Sequence, residues 1–186
     1  MSRLVARVLW VGLISSVAHA AERPWTLSSL LQTLQHTTSH RVRFTETNHI
    51  AGLKRPLHLR GALRYTPPNT LVMKQSVPHK AVYRIVGDRL YVNHATRGVA
   101  VSRYPGLIAI VSGFEGLLSG NQALLTHDFA VTLSGDVGAW RLVLHPRLAE
   151  LRRAVTTVAI TGRGGQLVEI TTLAPRGDFS VMHILP

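Results

Sequence analysis

The sequence predicts an α+β fold, a curved antiparallel sheet whose apolar face two amphipathic helices must cover. Three observations predict it. Residues Leu57 to Tyr65 alternate, with Leu57, Leu59, Gly61, Leu63 and Tyr65 set against His58, Arg60, Ala62 and Arg64. Successive strand side chains point to opposite faces, so such a strand is apolar on one side and charged on the other. The pattern recurs in strand after strand, and two helical stripes interrupt it, one near the N-terminus and one in the middle.

The first element is not part of the sheet. Arg3 and Arg7 form a positive start, Val8 to Val17 a short apolar run, and Ala18-His19-Ala20 places small residues where a signal peptidase cuts. Residues 1–20 therefore read as a signal peptide, and the apolar run is too short to span a bilayer. Residues 21–186 remain as one domain with enough chain for a real core. The compartment this implies is the bacterial periplasm or the outside of the cell.

Thr26 then precedes Leu27, Leu30, Leu31 and Leu34, an i, i+3, i+4, i+7 stripe with a threonine in the N-cap position. Strands are expected at Val42–His49, Leu57–Tyr65, Thr70–Gln75, Lys80–Val86, Arg89–Asn93 and Gly98–Ser102. Ala51-Gly52, Pro67-Pro68-Asn69, Val77-Pro78 and Gly87-Asp88 supply the turns. After Pro105-Gly106 a second stripe appears at Leu107, Ile110, Val111, Phe114, Leu117 and Leu118. Gly113, Gly116 and Gly120 weaken it, each by up to about 1 kcal/mol relative to alanine, so a short or divided helix ending near Gly120-Asn121 is expected. Phe129–Ser134, Trp140–His145, Ala154–Thr161, Gln166–Thr172 and Phe179–Ile184 complete the strands, with hairpin turns at Gly162–Gly165 and Arg176–Asp178.

Composition narrows the chemistry. The chain has no cysteine, so disulfides, thiolate metal sites and a lipidated N-terminal cysteine are all excluded. Beyond residue 20 there are 19 basic and nine acidic residues, a net charge of +10. That balance favours anionic surfaces, whether phosphate, acidic protein or lipid headgroup. The arginines are scattered along strands, with no basic run longer than Lys54-Arg55 or Arg152-Arg153, and export argues against nucleic acid as the partner.

Enzyme signatures are weak. Gly162-Arg163-Gly164-Gly165 joins two strands and no helix follows, so it does not cradle a dinucleotide. His36 and His40 have helical i, i+4 spacing but no glutamate between them, and the Thr37-Thr38-Ser39 linker is a poor helix. Asp88, Asp128, Asp136 and Asp178 fall at strand ends and turns, where aspartate serves structure. A carboxylate pair such as Glu46 and Glu169, both on expected strands, is open to acid-base work, but nothing in the sequence points to it. No metal site, cofactor or catalytic residue is expected.

The apolar face leaves two outcomes. Tightly packed helices make an ordinary α+β core, whereas helices acting as a lid leave a lipid-sized cavity. At ~0.8 kcal/mol per methylene, an acyl chain of about sixteen carbons costs roughly a dozen kcal/mol to expose to water, so a periplasmic carrier would be useful.

Several segments resemble the periplasmic lipoprotein carrier LolA and its relatives. Phe44-Thr45-Glu46 stands where that family has Phe-x-Gln, and Gly61-Ala62-Leu63 leading to Pro67-Pro68-Asn69-Thr70-Leu71 is similar to its Gly-x-Leu … Arg-Pro-x-x-Phe segment. Val86 to Tyr91 looks like its Asp-Gly-x-x-Leu-Trp/Tyr hairpin, and Trp140 to Pro146 like its x-Leu-x-Pro strand. The resemblance implies an incomplete antiparallel β-barrel with a helical lid over a hydrophobic cavity, and no reaction or cofactor. It implies a shuttle that takes acyl chains of lipoproteins or envelope (glyco)lipids from an inner-membrane exporter to an outer-membrane acceptor, as a monomer in transient contact with membranes.

On the alternation, the cavity wall would be Leu57, Leu59, Leu63, Leu71, Met73, Tyr83, Ile85, Val99 and Val101, and the lid Leu107, Ile110, Phe114 and Leu117. The departures matter too. The arginine that holds the lid closed in the carriers is Pro67 here, and the motif's phenylalanine is Leu71. Arg64 has the right chemistry but falls on the polar face, and the carriers' C-terminal extension is not expected past Pro186. Two further readings stay open: an envelope-stress or regulatory binding module built on the same half-barrel, and a hydrolase.

Overall fold

The computed structural model describes residues 25–37, 41–103, 111, 113 and 115–185. The expected signal segment at 1–20 lies outside them.

Helix α1 (Leu27–Thr37) begins at a reciprocal cap. The Ser29 N–H donates to the Thr26 hydroxyl at 3.2 Å, and the Thr26 N–H donates to the Ser29 hydroxyl at 2.8 Å. Both would otherwise be orphan donors at the helix start. Leu30, Leu31 and Leu34 are fully buried, so the leucine stripe faces the sheet.

The strands are β1 (Arg41–His49), β2 (Leu57–Thr66), β3 (Thr70–Val77), β4 (Ala81–Val86), β5 (Arg89–Val92) and β6 (Val99–Ala100). A 3-10 turn (Val101–Arg103), a helical stretch at 115–118 and helix α2 (Gln122–Asp128) precede β7 (Phe129–Asp136) and β8 (Ala139–Pro146). The one-turn helix α3 (Ala149–Arg152) leads to β9 (Thr157–Arg163), β10 (Gln166–Leu173) and β11 (Phe179–Leu185). Among the described residues all eleven strands form one antiparallel sheet in the order β6-β5-β4-β3-β2-β1-β11-β10-β9-β8-β7, with β6 and β7 as unjoined edges. The expected α+β fold with an incomplete barrel is the fold observed.

That order makes two meanders joined back to back. The chain runs outward from β1 to β6, crosses to the opposite edge through residues 101–128, and returns inward from β7 to β11. The first and last strands therefore pair in the centre, Phe44 opposite Ile184 and Glu46 opposite Met182.

Cross-strand pairs share a face, so the registers define the inner surface. One row crosses seven strands: Leu59, Glu46, Met182, Ile170, Ile160, Leu142 and Leu133. Two large aromatics fit only because a glycine stands opposite. A Cβ on Gly61 would lie 3.0 Å from the Phe44 ring, and one on Gly162 would lie 2.1 Å from the Trp140 ring. Trp140 also donates its indole N–H to the Gly164 carbonyl at 2.8 Å.

Three details depart from the expected elements. The strand expected at Gly98–Ser102 is confined to Val99–Ala100, because the chain winds into a 3-10 turn at Val101–Arg103. The strand expected from Ala154 begins at Thr157, since the Ala154 and Val155 N–H groups close α3 onto the Leu151 carbonyl. Helices α2 and α3 were not expected; α2 starts at the break anticipated near Asn121, whose side chain accepts from the Leu124 N–H.

Candidate functional site

The inner face of β2–β6 carries two apolar rows. Leu63, Met73, Tyr83 and Val92 pair across four strands, and beside them Tyr65, Leu71, Ile85, Leu90 and Val99 pair across five. Seven of the nine expected wall residues join the apolar interior. Leu63, Leu71, Ile85 and Val101 are buried, while Leu59, Met73 and Tyr83 are half-buried against the same cluster. Leu57 and Val99 stand at the margins, 37% and 38% exposed.

Burial along these strands is graded. In β2 it deepens from exposed Leu57 through half-buried Leu59 to buried Leu63 and Tyr65. In β4 it deepens from half-buried Tyr83 to buried Ile85. The covered end lies toward the turns at 67–69 and 87–88; the less covered end lies toward the β1–β2 connection.

The covering layer comes from α1 and the crossover. Of the expected lid residues, Leu117 is fully buried, and Leu107, Ile110 and Phe114 lie outside the described residues. Val111 of the same stripe is buried. The Gln35 side chain donates to the Ser119 carbonyl, which ties α1 to the end of the helical stretch. Glu115 approaches Tyr65: burial raises the Tyr65 hydroxyl above its ordinary pKa and the Glu115 charge adds to that, while burial alone raises Glu115. Tyr65 donates its hydroxyl to the Pro68 carbonyl at 2.7 Å, which braces the Pro67-Pro68 segment. Arg64 is exposed on the outer face, opposite Arg41 and Val72.

Tyr65, Leu90 and Val92 of these rows were not among the expected wall residues, and neither was one polar residue of the inner face. Glu46 shares the parity of Val42 and Phe44 in β1, so its carboxyl stands in the seven-strand row between Leu59 and Met182. Burial raises its pKa, and a hydrogen bond with the Ser180 side chain pulls the other way. The alternation through Phe44 was the signal that could have found it. Glu169 projects from the opposite face, where its carboxylate lies 3.5 Å from His183. The two glutamates are thus separated by the sheet and cannot work as a pair.

The outer face is cationic. Arg41, Arg43, Arg60, Arg64, Lys74 and Arg84 are exposed at outward positions of β1–β4, and Arg84 lies 4.9 Å from the Tyr91 ring centre. A separate crevice of about 340 Å³ lies at the far end of β7–β10, between Trp140, Gly162, Arg163 and Val168, away from the wall. Among the described residues no cluster of acids and histidines could hold a metal, and no helix is long and apolar enough to cross a membrane.

A family model described as outer membrane lipoprotein carrier protein, LolA-like, matches residues 19–184. No curated protein matches the sequence. Among solved structures, a LolA superfamily protein from Nitrosomonas europaea is similar at 9% identity and a TM-score of 0.46, over 88% of this chain and 93% of that one. LprF from Mycobacterium bovis is similar at 11% identity and a TM-score of 0.36, over 86% and 91%. The MucA/MucB complex of Pseudomonas aeruginosa is similar at 14% identity and a TM-score of 0.43, over 85% of this chain and 55% of that one. At such scores the likeness is distant.

Proposed function

The chain belongs to the LolA-like family of outer membrane lipoprotein carrier proteins, and from that premise we propose that it is a periplasmic, non-enzymatic carrier of acyl chains. Residues 1–20 act as its signal peptide and residues 21–186 as a single lipid-binding domain. The cargo is a lipoprotein or an envelope (glyco)lipid, taken from an inner-membrane exporter and passed to an outer-membrane acceptor.

The observation that carries this reading is the graded wall of β2–β5. Leu57, 37% exposed, and half-buried Leu59, Met73 and Tyr83 leave apolar surface accessible beside buried Leu63, Leu71 and Ile85. Such a surface is costly in water and useful to an acyl chain, at ~0.8 kcal/mol for each methylene covered.

Protein purified from periplasm without detergent should release lipid detectable by mass spectrometry. Protein that is lipid-free and also ignores a fluorescent fatty-acid probe would overturn the reading.

A further inference from the structure

The β1–β2 connection gathers features the wall does not use. Ile50 is 42% and Leu53 56% exposed, and Lys54 and Arg55 beside them are exposed as well. Arg176, exposed in the turn between β10 and β11, belongs to the same end of the sheet. Leu173 and Phe179, which flank that turn, are also exposed. Single apolar side chains on a surface mean little, but a cluster at one end marks an interaction site.

The tip is held, not loose. The Leu53 N–H donates to the Ile50 carbonyl at 3.0 Å, and the Ala51 N–H donates to the Asp178 carboxylate at 2.6 Å. The His49 ring stacks on Phe179 with centroids 4.2 Å apart. Asp178, the acid of this end, is thus engaged with backbone while the cations face outward.

We propose that this tip docks on an anionic bilayer, with Ile50 and Leu53 entering the interfacial layer and Lys54, Arg55 and Arg176 meeting lipid phosphates. Aliphatic side chains ringed by cations are the composition of an interfacial anchor, in which apolar burial and headgroup attraction add. A protein partner fits less well, because lysine is depleted in protein interfaces. Location agrees: the tip adjoins the less covered end of the wall at Leu57 and Leu59, so a lipid leaving the bilayer there reaches the apolar face without crossing the cationic one. The inference rests on the carrier reading for its purpose, though not for its geometry.

The test uses the chain as exported and processed, co-sedimented with vesicles of phosphatidylcholine and phosphatidylglycerol in equal parts and of phosphatidylcholine alone. The unaltered chain should favour the anionic vesicles. Ile50→Ser with Leu53→Ser should weaken that binding about tenfold. Lys54→Gln with Arg55→Gln should remove about fivefold per charge, on anionic vesicles only. Val137→Ser, at an exposed apolar residue on the opposite end, should change nothing.

Because the chain has no cysteine, a polarity-sensitive dye on Leu53→Cys or Val137→Cys reads insertion directly in folded protein. A blue shift at position 53 alone is expected. Equal behaviour at both sites, no vesicle binding, or binding lost only through Arg43→Gln with Arg60→Gln on the outer face would each overturn the tip. A protein that carries lipid but fails here refutes the docking alone, and one that docks but is lipid-free refutes the carrier alone.

Discussion

The two meanders share one sheet yet use their inner faces differently. In β8 and β9 burial runs from end to end: Trp140, Leu142, Leu144, Val158 and Ile160 are each at most 5% exposed, and only the edge strand β7 departs from this, with Phe129 buried but Val131 and Leu133 half-buried. In β2–β5 it stops halfway, leaving Leu59, Met73 and Tyr83 half-covered and Leu57 exposed. The sequence pattern is similar in both, so amphipathicity alone does not distinguish a core from a binding wall. The distinction is made by what lies over each face.

The largest expected effect falls in the closed meander. Trp140→Ala removes a fully packed indole and its hydrogen bond to Gly164, and should cost about 3–5 kcal/mol in a urea titration. A loss below about 1 kcal/mol would break the contrast, because the β8–β9 face would then not be core. Next comes Gly162→Ala, whose new methyl meets the Trp140 ring and the Gln166 carbonyl. Overpacking of that kind should cost about 1–3 kcal/mol, read as a lower urea midpoint with an unchanged slope.

The open meander should respond in the opposite currency. Met73→Ala, at a half-buried wall position, should cost no more than about 1 kcal/mol in stability while clearly reducing the lipid retained on purification. Equal lipid content would reduce β3 to an ordinary sheet face.

The smallest effect sharpens the comparison at its boundary, at Glu46. Its folded pKa is raised, so the protein binds the Glu46 proton more tightly than the unfolded chain does. That contribution is fully present below the ordinary carboxylate pKa and is lost as pH rises through the raised value. Glu46→Gln should therefore stabilise the fold at neutral pH, by at most about 1 kcal/mol at this half-buried site, and the difference should vanish as pH falls through the carboxylate range. A difference that is constant with pH would place the carboxyl in water instead.

Much of this was legible in the residues, for local reasons. Strands β1–β5 and β7–β11 follow from period-two alternation between turn residues, and α1 follows from the Leu27, Leu30, Leu31, Leu34 stripe behind Thr26. The seven-residue α2 and four-residue α3 were not, because one or two turns leave too few repeats for a period to emerge. Val101 kept its apolar, buried character but not its strand, since the chain enters a 3-10 turn there. Glu46 was legible as an acid-base candidate with Glu169 but not as a wall residue, because that needs its parity with Phe44 in β1.

By itself the sequence determined which residues form strands, which face of each strand is apolar, and where the chain turns, because these depend on neighbours a few positions apart. Only the tertiary structure decided that β1 lies between β2 and β11, and that the wall is covered at one end and accessible at the other. Those outcomes depend on contacts between residues more than a hundred positions apart, as Glu46 opposite Met182 is, and no local period encodes them.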